Sequence, residues 1–163
     1  MNGALTILPA SGDEDLDWCA QLMSGSEPWI TLQRSLDQCR LSVRGPGREV
    51  YIARHAELRV GFVVLCMTGA FVGYIQTICV DHDSRGSGIG TSLIAFSEER
   101  IFRESPNVFM CVSSFNSRAQ ELYQKLGYSV VGRLTDYIVQ GHDEILLRRS
   151  RGPLTGFVPI GKH

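Results

Sequence analysis

Three glycines at alternate positions separate an apolar stretch from a helical pattern in the middle of the chain. Residues 72–80 are apolar and rich in β-branched side chains, which predicts a strand, and residues 89–103 predict a helix. The run between them reads Arg85-Gly-Ser-Gly-Ile-Gly90. Where a strand, a glycine-rich turn and a helix start meet, backbone N–H groups converge and the helix dipole adds positive potential. Because glycine permits close backbone approach and arginine binds phosphate with a charged fork, the run predicts a site for a pyrophosphate-bearing ligand.

A second group of chemically capable residues follows nearer the carboxyl end. Asn116 precedes a predicted helix, where its side chain can cap the helix or bind a ligand amide. Ala119 is small enough to let a ligand chain pass close to that helix, and Tyr123 lies one turn further along the same face. The phenol of Tyr123 can donate a proton to a leaving group. The alternative is a core aromatic side chain, which is the usual role of a tyrosine at helical spacing.

Together the two runs resemble paired motifs of a known superfamily. The run Arg85–Gly90 after a strand ending in valine resembles motif A of the GNAT superfamily of acyl-CoA-dependent N-acetyltransferases. Residues 116–128, with the pattern N-x-x-A-x-x-L-Y-x-x-x-G-Y, resemble its motif B. The resemblance implies acetyl-CoA as acyl donor. It also implies a primary amine as acceptor, on a peptide N-terminus or on a small molecule.

The resemblance also implies roles for individual residues. In this superfamily the glycine-rich loop cradles the pyrophosphate of acetyl-CoA, and the strand before the loop splays from the next strand so that pantetheine lies in the gap. Backbone groups of Ile78 and Val80 are then expected to pair with the pantetheine amides. The N–H of Ile78 or Cys79 would polarise the thioester carbonyl, and Tyr123 would act as the general acid that protonates the coenzyme A thiolate. The residues expected to bind the cofactor are Ile78, Cys79, Val80, Arg85, Gly86, Ser87, Gly88, Ile89, Gly90, Thr91, Asn116, Ala119 and Tyr123.

The general base has no carboxylate candidate at the positions that the superfamily uses. On the strand before the loop the side chains at that level are Tyr74 and Gln76, and by the register of the alanine acetyltransferases the next strand has Cys111. A bound water relayed by Gln76 or Tyr74, or a loop carboxylate such as Glu27 or Asp136, would serve instead. An α-amino group has an unperturbed pKa of about 7.7–8.0, against about 10.4 for lysine. The missing base therefore favours an acceptor amine of low pKa.

The loop after the first predicted helix is expected to contact the acceptor. Its Pro28-Trp29 pair resembles, in part, the branch of ribosomal-protein alanine N-acetyltransferases. Glu27, Trp29 and Tyr137 are the candidate acceptor-binding residues. A packing anchor at Trp29 and a solvated surface acid at Glu27 are the structural alternatives.

Two other function classes stay open. A non-catalytic acyl-CoA-binding sensor or partner module would retain the loop and lack the base. A nucleotide-binding domain would use the same loop, although the lysine of a Walker loop and the G-x-G-x-x-G spacing of a Rossmann turn are both absent. Thiol release from acetyl-CoA with amines separates enzyme from sensor, and competition with ATP separates the third class.

Composition limits the partners. The chain has 163 residues, a net charge of −1 and a pI near 6.4, which gives no indication of binding to nucleic acid or to an anionic membrane. No signal peptide is recognisable at the start, and the apolar stretch 60–75 is too short to span a bilayer comfortably. Five cysteines without a C-x-x-C pair predict buried thiols in a reducing, cytoplasmic setting. The scattered histidines predict no metal site.

The order of elements predicts an α+β fold. We expect a mixed, mostly antiparallel sheet of about seven strands flanked by about four helices, as in GNAT proteins. Ser11 with Glu14 predicts a capping box for the first helix, and Thr31 predicts the start of the second. Residues 1–149 are expected to form one N-acetyltransferase domain and 150–163 an irregular tail. The apolar side chains of the tail predict that it covers a neighbouring surface, such as that of a second copy in a homodimer.

Overall fold

The computed structural model describes residues 3–160. These residues form one mixed sheet with helices on both faces. Its strands are β1 (Leu5–Pro9), β2 (Arg48–His55), β3 (Leu58–Cys66), β4 (Tyr74–Val80), β5 (Asn107–Ser113), β6 (Ser129–Val139) and β7 (His142–Ser150). The helices are α1 (Gly12–Ser24), α2 (Leu36–Arg44), α3 (Ile89–Phe102) and α4 (Ser117–Lys125), with a short 3₁₀ turn at His82–Ser84. The predicted α+β fold is confirmed.

The sheet has the order β1-β2-β3-β4-β5-β7-β6. Strands β2, β3 and β4 form an antiparallel meander, and β4 with β5 is the parallel pair. A parallel pair needs a crossover connection, which α3 supplies by packing on β3, β4 and β5. The glycine-rich run therefore lies where β4 ends and the crossover helix begins.

Strands β4 and β5 touch at one end and then diverge. They pair only at Tyr74 with Phe109 and at Ile75 with Met110. Their outer edges stay bonded to other strands, β4 to β3 and β5 to β7. Just before β4, the carbonyl of Gly73 accepts a hydrogen bond from the Phe109 N–H at 2.9 Å. The sheet consequently contains a wedge-shaped gap that opens toward the glycine-rich loop.

Strand β4 carries a bulge inside this region. Thr77 pairs with Val64, but Ile75 pairs with Leu65, so Gln76 is the extra residue that has no partner on β3. A bulge bends its strand and redirects a side chain. Here it turns Gln76 toward α2.

The sheet has an apolar core on each face. The larger cluster lies under α3 and α4 and includes Leu93, Ile94, Ile101, Val108, Met110, Ile145 and Leu147. The second lies under α1 and α2 and includes Cys19, Met23, Cys39, Val43, Phe62 and Cys79. The gap between β4 and β5 therefore lies between two faces of the sheet that have separate apolar cores.

One predicted capping box and one predicted helix start are wrong. Ser11 does precede α1, but its side chain makes no cap, and its N–H instead donates to Asp15 at 2.8 Å. The second helix begins at Leu36 rather than near Thr31, because Ser35 and Gln38 form a reciprocal capping box. Residues 27–33 before it are turns. This leaves a longer irregular segment at the end of α1 than the sequence suggests.

The last two strands form a long hairpin. β6 runs to Val139 and β7 begins at His142, so Asp136 and Tyr137 lie in an irregular part of a hairpin rather than in a loop. Beyond Ser150 the chain is irregular as far as it is described. It returns to the domain through the N–H of Ile160, which donates to the Arg103 carbonyl at 2.8 Å. Between 3 and 160, no helix has both the length and the apolar character needed to cross a membrane.

Candidate active site

The glycine-rich loop presents an open backbone surface. Gly86 and Gly88 have φ angles of +76° and +83°, and a Cβ atom added at either would meet nothing within 4 Å. Gly88 is the N-cap of α3 and offers no side-chain acceptor to the first turn. The first N–H groups of a helix have no intrahelical partner, so those of Ile89, Gly90 and Thr91 are available to an anion at this end of α3. The local geometry is that of an anion site.

Arg85 and Ser87 are held at the rim of this loop. The Nε of Arg85 donates to the carbonyl of Val80 at 3.2 Å, and the hydroxyl of Ser87 donates to the carbonyl of Ser84. The side chain of Arg85 is therefore exposed but anchored over the end of β4. The Val80 carbonyl, one of the backbone groups expected to meet a ligand, already has this partner.

A cavity of about 570 Å³ fills the gap between the diverging strands. Its walls come from β4, β5, the start of α4, the segment between α1 and α2, and the β6–β7 hairpin. The lining residues include Met23, Trp29, Leu32, Arg34, Ser42, Arg48, Tyr74, Gln76, Ile78, Cys111, Ser113, Asn116, Tyr123, Tyr137 and Glu144. A cavity of this size accommodates a small-molecule ligand.

Helix α4 forms one wall. The side chain of Asn116 accepts a hydrogen bond from the Ala119 N–H at 3.2 Å, so it caps the helix as its position predicts. Tyr123 lines the cavity and packs edge-on against Tyr128, with the ring centroids 6.1 Å apart. Burial raises the pKa of Tyr123 above its usual value, so its hydroxyl stays protonated at neutral pH.

Of the three candidate acceptor-binding residues, the structure places two in the cavity wall and one outside it. Trp29 is half-buried, packs on the α1–α2 core and lines the cavity. Tyr137 lines it from the hairpin and is 64% exposed. Glu27 is exposed, and its carboxylate accepts from the Thr31 N–H at 3.2 Å. Glu27 is not among the lining residues.

The candidates for proton transfer on β4 and β5 are held by neighbours. The Gln76 amide donates to the carbonyl of Ser42 at 3.1 Å and accepts from the thiol of Cys66 at 3.1 Å. Tyr74 lies beside the Cys111 thiol, and burial raises the pKa of both groups. Cys79 faces the α1–α2 core, where burial raises its pKa to about 11. None of these side chains is a ready base at neutral pH.

A residue that the sequence interpretation missed supplies a carboxylate to the wall. Glu144, near the start of β7, is 4% exposed and accepts a hydrogen bond from the Ser113 hydroxyl at 2.6 Å. The pairing of β5 with β7 brings the two residues opposite one another. Burial raises the pKa of Glu144, and the Ser113 hydrogen bond only partly offsets that effect. The available signal was an acid directly before the apolar run 145–147 of β7.

Metal ligation has no support in the described region. Among residues 3–160, no three His, Cys, Asp or Glu side chains lie close enough together to hold a metal ion.

The combination of splayed parallel strands and an open glycine-rich loop agrees with comparisons to known proteins. A family model described as "Acetyltransferase (GNAT) domain" matches residues 46–130, which span β2, β3, β4, the loop, α3, β5 and α4. The chain belongs to the GNAT acetyltransferase family. This confirms the family that the two sequence motifs suggest.

Individual curated proteins are similar to this chain over different shares of its length. An uncharacterized protein of Mycobacterium leprae is 32% identical over 155 residues, covering 89% of this chain and 40% of that protein. Blasticidin-S acetyltransferase of Streptomyces morookaense is 31% identical over 78 residues, covering 44% of this chain and 57% of the enzyme. The chain thus spans about half the length of these curated relatives.

A solved structure shows the same GNAT fold. The ribosomal-protein-S18-alanine N-acetyltransferase of Escherichia coli superposes with a TM-score of 0.74 at 16% identity, covering 95% of this chain and 99% of that one. At this identity the likeness concerns the fold.

Proposed function

We propose that this protein transfers the acetyl group of acetyl-CoA to a primary amine, on a peptide N-terminus or a small molecule, by direct attack. The observation that carries the proposal is the cavity in the gap between β4 and β5, with Tyr123 in its wall and the glycine-rich loop where β4 ends. Direct transfer needs a donor and an acceptor that meet in one enclosed space. A gap between strands supplies that space.

The donor end of the proposal rests on the fit of the loop to a pyrophosphate. The open positions at Gly86 and Gly88 permit the close approach of an anion to the backbone, and the uncapped first turn of α3 offers its N–H groups. The guanidinium of Arg85 is anchored next to them. The backbone groups of Ile78 and the N–H of Val80 are suited to pair with the amides of pantetheine, whereas the Val80 carbonyl already accepts a hydrogen bond from Arg85.

The chemistry rests on Tyr123. As the amine forms the new C–N bond, the C–S bond of the thioester breaks and the sulfur takes the electron pair. A protonated phenol next to that sulfur can donate its proton to the departing thiolate. Burial keeps Tyr123 protonated at neutral pH, which is the state that an acid requires.

The alternative of a non-catalytic acyl-CoA sensor was favoured by the apparent lack of a carboxylate base. Glu144 in the cavity wall weakens that argument. The discriminating measurement is release of the coenzyme A thiol from acetyl-CoA in the presence of amines and short peptides. Release above the rate without amine supports the enzyme, and binding of acetyl-CoA without release supports the sensor.

The donor site is tested by thermal unfolding with acetyl-CoA and with ATP. A ligand at a hundred times its Kd stabilises the folded state by about 2.7 kcal/mol, which is about 5–11 °C in Tm for a chain of this size. Gly88→Val should remove the shift, because its side chain enters the open loop. Gly69→Val is the matched control, since Gly69 also has a positive φ and open space but lies in the β3–β4 connection. An equal shift in both variants contradicts the site.

A further inference from the structure

The cavity wall contains a single carboxylate among its described residues, and that group has no part in the chemistry outlined so far. Glu144 lies on β7, opposite Ser113 of β5, and its side chain is almost fully enclosed. A carboxylate in such a place costs folding free energy unless it has partners. Its hydrogen bond from the Ser113 hydroxyl holds Oε1 and leaves the other oxygen without a hydrogen-bond partner among the described residues.

Glu144 and Tyr123 approach the gap from opposite faces of the sheet. Ile145, the next residue on β7, packs in the core under α3 and α4, where Tyr123 also packs. Successive side chains on a strand point to opposite faces, so Glu144 belongs to the α1–α2 face. Both residues nevertheless line the same cavity. A thioester in the gap would have the phenol on one side and the carboxylate on the other.

The groups around Glu144 leave it free of ion pairing. Tyr74 of β4 and Cys111 and Ser113 of β5 are its titratable or hydroxyl-bearing neighbours, and Tyr137 of the hairpin interacts with Tyr74. The cations of the cavity wall are held elsewhere: Arg48 donates to the carbonyls of Ser42 and Pro46, and Arg34 lies 3.4 Å from the Ser42 hydroxyl. No salt bridge to Glu144 is formed within residues 3–160.

The other carboxylates considered as bases are less suitable. Glu27 is exposed and binds the Thr31 N–H. Asp136 is exposed, and its Oδ1 accepts from the Gly141 N–H at 2.7 Å. Neither lines the cavity.

We infer that Glu144 is the general base of the proposed acetyl transfer, an inference that rests on that proposed function. The lone pair of the neutral amine forms the C–N bond, and the amine proton passes to Glu144. The C–S bond breaks, and the sulfur leaves with its electron pair and the proton of Tyr123. Afterwards Glu144 releases its proton to solvent and Tyr123 regains one, so the products are the N-acetyl amine and coenzyme A thiol.

The test is the pH dependence of turnover in Glu144→Gln. The substitution keeps the shape and an acceptor for Ser113 but removes the base. We expect kcat to fall by about 10²–10⁴-fold, with acetyl-CoA affinity unchanged, because a general base contributes by about that factor. The loss should shrink as pH rises, because hydroxide can then accept the amine proton. It should persist for hydroxylamine, which is already neutral at neutral pH but still releases a proton as the C–N bond forms. Glu144→Asp should recover part of the activity.

The matched control is Glu121→Gln, which removes one exposed carboxylate from α4 and should leave kcat and its pH profile unchanged. Wild-type kcat and an unaltered acidic limb in Glu144→Gln would overturn the base while leaving acetyl transfer intact. Absence of thiol release by the wild-type protein with every amine would overturn the transfer and the base together. If Glu144→Gln fails to fold, an unshifted acidic limb in Glu144→Asp would also reject the inference.

Discussion

Two neighbouring tyrosines allow catalysis and stability to be separated. Tyr123 and Tyr128 pack edge to face, but their hydroxyl groups have different surroundings. The Tyr128 hydroxyl donates to Glu98 at 2.8 Å. The Tyr123 hydroxyl has no hydrogen-bond partner among the described residues, and its side chain lines the cavity. Replacing each with phenylalanine removes one oxygen and keeps the ring.

Tyr123→Phe should therefore lower kcat and leave stability nearly unchanged, whereas Tyr128→Phe should lower stability and leave the chemical step unchanged. Tyr123→Phe loses no hydrogen bond, so the free energy of unfolding should change by less than about 0.5 kcal/mol. If the phenol protonates the thiolate, kcat should fall by about 10²-fold, or about 2.7 kcal/mol in the barrier, the low end because a thiolate already leaves well. Tyr128→Phe removes a hydrogen bond to a charged group. It should cost about 1.5–3 kcal/mol of stability, or about 3–12 °C in Tm, without slowing the chemical step.

The assay is steady-state thiol release on an accepted amine, with acetyl-CoA affinity and Tm measured on the same samples. A drop in kcat with unchanged affinity marks an interaction made in the transition state. Equal turnover in Tyr123→Phe and the wild type would refute the acid and make Tyr123 a core aromatic residue. A large fall in Tm for Tyr123→Phe would refute the view that its hydroxyl has no structural partner.

Three other substitutions test the surrounding structure. Asp15→Asn should lower stability by about 3 kcal/mol in urea unfolding, because it leaves Arg54 and Arg59, at 2.7 and 2.8 Å, without their buried carboxylate. Burial opposes ionisation of Asp15, but its hydrogen bonds lower its pKa overall, so this stabilisation is present above the unfolded pKa of about 3.9 and is lost as pH falls through the lower folded value. Gly73→Ala should cost about 2 kcal/mol or more and weaken acetyl-CoA binding in a thermal-shift titration, because its Cβ would lie 2.5 Å from the main chain at the start of β5. Glu144→Gln should raise Tm at neutral pH, with the gain vanishing below about pH 4.3, because burial raises the pKa of this carboxylate and its ionisation opposes folding.

The sequence predicts those parts of the structure that are determined by residues close together in the chain. The glycine-rich loop follows from residue types that are adjacent in the chain, and so does the capping of α4 by Asn116. The start of α2 also had a local signal, the Ser35–Gln38 capping box, but Thr31 offered a competing cap. At α1 the competing partner was Asp15, one residue beyond the expected Glu14, because two arginines on β2 and β3 draw its carboxylate inward.

The candidate base could not be found in this way, because its environment is assembled from distant segments. Glu144 is buried only because β7 pairs with β5 and sets it opposite Ser113. Its access to the cavity depends on β4 diverging from β5 after two residue pairs. Neither condition can be inferred from the residues next to Glu144 in the sequence. In contrast, the Ala119–Tyr123 face is predictable, since helical periodicity places both residues toward the same neighbour.

The divergence of β4 and β5 has a consequence for specificity. An unpaired strand edge at the rim of a sheet is open to any other strand, and proteins usually shield it. Here two such edges face each other inside the molecule, where a second sheet cannot reach them. A slender extended ligand with amide groups can add to them as a strand would. Recognition through main-chain atoms does not depend on the side chains alongside, so residues such as Trp29 and Tyr137 are free to differ without loss of the acyl donor. Under the proposed function, binding of the acyl donor and choice of the acceptor are therefore separable properties of one cavity.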